Sequence, residues 1–63
     1  MENEPRDGEI IAAMIRYGGS FAIAIAQAAT VADQDNLLTL KKAFPLMWVH
    51  YAMMANFSRD NSQ

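Results

Sequence analysis

The feature that most constrains the fold is a long uncharged segment near the C-terminus. Residues 43–58, AFPLMWVHYAMMANFS, contain no Asp, Glu, Lys or Arg, in a chain of 63 residues. A domain of this size buries only about 60% of the surface that its unfolded chain exposes. We therefore expect this segment to carry more apolar surface than one copy of the chain can cover.

Composition leaves few means of stabilising so small a domain other than a partner chain. There is no cysteine and only one histidine, His50, so disulfides and thiolate or histidine-cluster metal sites are excluded. The DQD at 33–35 lacks the glycine and the distal glutamate of a calcium loop. We therefore expect no metal and no cofactor. Because 52% of residues are hydrophobic and symmetric dimers are the commonest oligomers, we predict a homodimer.

The pattern predicts an all-α fold, a compact bundle of three to four short helices in a single domain over residues 8–57. Residues 1–7 are predicted to form a disordered acidic tail, and residues 58–63 a frayed tail. The first helix is expected over 8–17, with Asp7 as its N-cap. Gly18 is expected to end it in the left-handed conformation.

Three further helices are predicted along the chain. Ser20 is expected to cap the second, over 21–32, whose many alanines favour a helix over a strand. Asp33 or Asp35 should cap the third, which ends at two lysines that suit the helix dipole. Pro45 is well placed to open the fourth, over 45–57, because proline is favoured at the first helical position.

The fourth helix has two apolar stripes. Leu46, Val49, Met53 and Phe57 follow a helical spacing and form the first stripe. Tyr51 and two methionines form the second, beside the tryptophan. Trp and Tyr dominate binding hot spots, and Met adapts to irregular surfaces. The predicted protein-interaction or oligomer interface consists of Met47, Trp48, Tyr51, Met54 and Phe57.

The YGGS turn at 17–20 is a candidate anion site, because backbone amides at a helix start can bind phosphate. The candidate contacts are Arg16, Tyr17, Gly19 and Ser20. The turn lacks the Gly-Lys-Ser/Thr of a phosphate loop, so a tight helix–helix turn is the favoured interpretation. A nucleotide-binding sponge or small regulator using this turn remains an alternative function.

Other function classes receive less support. No nucleophile or carboxylate has a catalytic spacing to His50, so we predict that the chain is not an enzyme. The second helix offers no Arg or Lys, and the net charge is −2, so a DNA-binding regulator is the second alternative and nucleic acid is not favoured. The two uncharged segments, residues 17–32 and 43–58, fit a membrane span poorly. The N-terminus is acidic, unlike a signal peptide, and we therefore expect a cytoplasmic protein without membrane contact.

The chain resembles small helical accessory proteins of tailed phages and prophages. The resemblance spans residues 16–55 and lies in Tyr-Gly-Gly-Ser-Phe at 17–21, Ala-Asp at 32–33, Asn36, Ala-Phe-Pro at 43–45, Trp48 and Tyr51. It implies a non-catalytic protein in the cytoplasm of an infected bacterium. Such a protein is expected to bind and inhibit or modulate a bacterial host protein, most concretely as an anti-CRISPR-like defence inhibitor.

Overall fold

The computed structural model describes residues 5–60, with side chains described as far as Phe57, and this part of the chain contains helices and no strand. The predicted all-α class is confirmed. The helices are α1 (Asp7–Tyr17), α2 (Ser20–Val31), α3 (Gln34–Ala43) and α4 (Pro45–Asp60). Of the predicted tails, residues 1–4 and 61–63 lie outside the described residues. Residues 58–60, which were expected to belong to the frayed tail, form the last residues of α4.

The helices begin close to the predicted positions, but two caps differ from the prediction. The N-cap of α1 is Arg6, whose backbone N–H donates to the Glu9 carboxylate at 3.0 Å. Asp7, expected to cap, is instead the first helical residue, which leaves its carboxylate for other contacts. Ser20 is likewise the first residue of α2, and Gly19 is the N-cap. Asp33 caps α3 as predicted, accepting from the Asn36 N–H at 2.9 Å.

Gly18 does end α1, but the expected left-handed conformation is wrong. Its φ and ψ are −83° and 162°, which any residue can adopt. Glycine is required here for a different reason. A Cβ at this position would lie 2.5 Å from the Met14 carbonyl oxygen and 2.6 Å from the Ala22 Cβ. The absence of a side chain therefore allows α2 to start directly against the end of α1.

The core lies between α1, α2 and α4. α1 makes the most extensive contacts, packing against both α2 and α4, whereas α3 packs lightly against α2 and α4 and buries none of its described residues. Most of the buried hydrophobic residues are alanines. The buried set is Ile10, Ala13, Met14, Ala22, Ala26, Ala29, Trp48 and Ala55.

The interior consists mostly of small side chains, whereas many of the large apolar side chains are exposed. Met14 is the one large side chain in the described chain with no measurable exposure. Many large apolar side chains instead lie outside: Ile15, Tyr17, Phe21, Val31, Leu38, Leu46, Val49, Met53 and Phe57. Burial of apolar area is the main favourable term in folding, so much of this chain's apolar surface contributes nothing to the stability of a single copy.

Candidate interaction surfaces

The predicted interface on α4 turns mostly inward. Trp48 is only 7% exposed and belongs to the core, and Met47 and Tyr51 pack against that core. Met54 is half-buried, and Phe57, at 71%, is the one exposed member of the predicted set. Three of the five residues therefore pack in or against the core, and a docking surface on α4 must be sought on its other side.

A polar clamp fixes this orientation of α4. The Trp48 Nε1–H donates to Asp7 Oδ1 at 3.2 Å, and the Lys41 Nζ donates to Asp7 Oδ2 at 3.1 Å. One carboxylate at the start of α1 thus joins the end of α3 to the indole of α4. Sequence reasoning missed the clamp, because its partners lie 34 and 41 positions from Asp7.

The outward side of α4 is a continuous apolar surface, which we call the α4 outer face. It consists of Leu46, Val49, Met53 and Phe57, which are 82%, 56%, 66% and 71% exposed. From Pro45 to Phe57 the only other exposed side chains of α4 are Pro45 and His50. At these exposures the face presents on the order of 500 Å² of apolar surface, about the largest patch found on a typical monomer.

A second apolar surface lies on α2, which we call the α2 outer face. Phe21, Ala24, Ala28 and Val31 follow a 3-4-3 spacing, and all four are exposed. Val31 is the most exposed, at 84%. Next to this face is an open groove between α2 and α3, which we call the α2–α3 groove. None of the residues that line it is charged. It is lined by Ala28, Val31, Ala32, Asn36, Thr39 and Leu40.

The candidate anion contacts lie near one another at the α1–α2 turn. The Arg16 guanidinium stands 5.5 Å from the centroid of the Tyr17 ring, a cation–π arrangement. Gly19 and Ser20 are exposed at the start of α2. The space beside Gly18 is taken up by its neighbours, including the Tyr51 hydroxyl. The turn has the close-packed geometry of a helix–helix connection, and a nucleotide there stays a prediction.

The one histidine is exposed and meets an aromatic ring. The centroids of the His50 and Tyr51 rings are 4.8 Å apart, and the two rings are nearly perpendicular.

Across residues 5–57, no three His, Asp or Glu side chains lie close enough together to form a metal site. Over the same described chain, no helix combines the length and apolar character of a membrane span.

Comparison with known proteins returned no relative. No protein-family model matches the chain, and neither a curated protein nor a solved structure matches it. The two apolar faces and the groove are therefore the features from which we infer function.

Proposed function

We propose that this chain is a non-catalytic, phage-encoded protein that acts in the bacterial cytoplasm by binding a host protein on the α2 outer face and the α2–α3 groove. The most concrete version is an inhibitor of a host defence system such as CRISPR. The resemblance to phage accessory proteins supports the setting. The observation that carries the proposal is an exposed apolar surface, without a formal charge, beside a groove that the chain's own helices leave open.

The shape of this surface favours a foreign partner over a second copy. A two-fold dimer brings the same patch of both subunits together, so each groove would meet another groove rather than a ridge. A convex element of another protein, such as the ridge of an amphipathic helix, fills such a groove instead. Ala28, Val31 and Leu40 give the groove apolar walls, so the ridge that fits them is apolar.

The rim of the groove adds a polar requirement. Asn36 and Thr39 line the α3 side, and Asp33 and Asp35 are exposed at the start of α3. The Asp33 carboxylate already accepts from the Asn36 N–H, which leaves further acceptor capacity facing solvent. We therefore propose that the host protein offers an apolar ridge with a cationic side chain at the end that lies beside the start of α3.

Val31→Glu tests this docking surface, with Gln27→Glu as the matched control. Both positions are exposed on α2 and both variants gain one negative charge, but Gln27 lies outside the apolar stripe. Burying a valine is worth about 1.5 kcal/mol or more, so we expect replacement of Val31 by glutamate to weaken binding at least about tenfold.

The readout is protection of phage in bacteria with active CRISPR immunity. Wild type and Gln27→Glu should restore plaque formation, and Val31→Glu should not. The host protein that co-purifies with the first two is then purified, and its affinity and activity are measured with each variant. Absence of protection by the wild type would refute defence inhibition, and equal binding by Val31→Glu would refute the docking surface.

A further inference from the structure

We propose that the α4 outer face binds a second copy of this chain through an antiparallel α4–α4 contact. The face carries four of the nine exposed large hydrophobic residues of the described chain, and it lies on the convex surface of a helix. It shares no residue with the α2 outer face or the α2–α3 groove, so the two proposals can be tested with different substitutions. The inference does not depend on the proposed function.

The spacing of the face is complementary to itself when one helix is reversed. Leu46, Val49 and Met53 alternate by three and four residues, the spacing of the first and fourth positions of a heptad. In an antiparallel pair, Val49 lies opposite Met53 of the partner subunit. Leu46 then lies opposite Phe57 of the partner subunit. Medium side chains meet near the two-fold axis, and larger ones meet at the two ends.

Charge also favours a second copy. The chain has no Asp, Glu, Lys or Arg between Lys42 and Arg59. Pairing two α4 outer faces therefore buries no charged side chain. His50 is exposed beside the face, at its edge, where its ring keeps contact with water and with Tyr51. Self-association therefore meets no like-charge repulsion along the paired segment.

The area available fits a reversible dimer. Two faces on the order of 500 Å² each would bury about 1,000 Å² in total, near the lower limit for a specific interface. The interior of one copy gives a reason for the extra burial, since five of its eight buried hydrophobic residues are alanine. Because a dimer is favoured by mass action, the melting temperature should rise with protein concentration.

A charge-pairing experiment tests both the dimer and its direction. Wild type should sediment with twice the 7.0 kDa chain mass at high concentration and dissociate on dilution. Val49→Lys and Met53→Glu, each alone, should raise the dimer dissociation constant at least 100-fold. An equimolar mixture should form a heterodimer, because the introduced lysine then lies opposite the introduced glutamate of the partner subunit. Gln27→Glu, on α2, should dimerise as wild type does.

These measurements distinguish a monomer from a dimer, and an antiparallel dimer from a parallel one. A wild-type chain that stays monomeric at the highest soluble concentration would overturn the proposal, as would dimers that survive both single substitutions. Failure of the mixture to pair would overturn the antiparallel arrangement, because in a parallel pair the new lysine and glutamate do not face each other. Should a variant unfold alone, recovery of helical circular dichroism in the mixture reports the same pairing.

Discussion

Gly18→Ala tests whether the close approach of α1, α2 and α4 at Gly18 constrains the fold. The backbone conformation at Gly18 already suits alanine, so only packing is changed. Its φ of −83° is ordinary, so the substitution adds one methyl group without conformational strain. That methyl would lie 2.5 Å from the Met14 oxygen, 2.6 Å from the Ala22 Cβ and 3.1 Å from the Tyr51 hydroxyl. Carbon atoms in good contact are about 3.5–4.0 Å apart, so the helices must separate by roughly 1 Å.

The neighbouring atoms cannot yield by rotating a side chain. The Met14 oxygen belongs to the backbone and accepts the Gly18 N–H at 2.9 Å, and the Ala22 Cβ has no rotamer. Overpacking of this kind costs about 1–3 kcal/mol. Replacing glycine also reduces the entropy of the unfolded chain, which offsets about 0.4–1 kcal/mol. We expect a net loss of about 1–2 kcal/mol, or a melting temperature lower by about 5–15 °C for a domain of this size.

Thermal and urea unfolding at one fixed protein concentration measure this loss, with two glycine controls in the same chain. Apart from the adjoining backbone, no described atom lies within 4 Å of a Cβ added at Gly8 or Gly19. Gly8→Ala lies inside α1 and should stabilise by up to about 1 kcal/mol. Gly19→Ala should lose up to about 1 kcal/mol, because Gly19 is the N-cap of α2 and alanine is a poorer N-cap than glycine. A Gly18→Ala variant as stable as the wild type would show that the close approach does not constrain the fold.

Two further stability predictions concern polar contacts. Asp7→Ala removes the acceptor shared by Lys41 and Trp48. Because the Asp7 and Lys41 side chains are 37% and 34% exposed, we expect the free energy of unfolding to fall by only about 1 kcal/mol. Urea unfolding with and without high salt measures this loss, and an unchanged midpoint would contradict the clamp. Asp33→Ala removes the N-cap of α3 and should lower the free energy of unfolding by about 1 kcal/mol, whereas Asp33→Asn keeps a capping side chain and should lower it little. Equal melting temperatures for the two variants would argue against the cap.

Helix positions could be read from the sequence because their signals are local. Asp33 caps α3 through a contact only three residues away, and Pro45 opens α4 as the preference for proline at the first helical position predicts. Alanine-rich composition correctly favoured a helix for α2. The glycines also marked the α1–α2 turn, although the conformation expected of Gly18 was wrong because its role depends on packing against α2 and α4.

The orientation of α4 could not be read in this way, because both sides of the helix are apolar. Leu46, Val49 and Met53 are as hydrophobic as the residues that turn inward, so periodicity gives no preference between the two faces. The distinction depends on contacts distant in sequence. The same limitation hid the clamp formed by Asp7, since a carboxylate before a helix is ordinarily a cap.

Burying the tryptophan side of α4 is the arrangement that satisfies both apolar area and hydrogen bonding. Trp48 carries the largest side chain on the helix, so turning it inward removes the most apolar surface from water. Its N–H requires an acceptor when buried, and the Asp7 carboxylate supplies one at 3.2 Å. The side left outside carries no polar group between Leu46 and Phe57 except His50. A surface of that kind needs no polar partner to be buried, which makes it suited to packing against an identical apolar face.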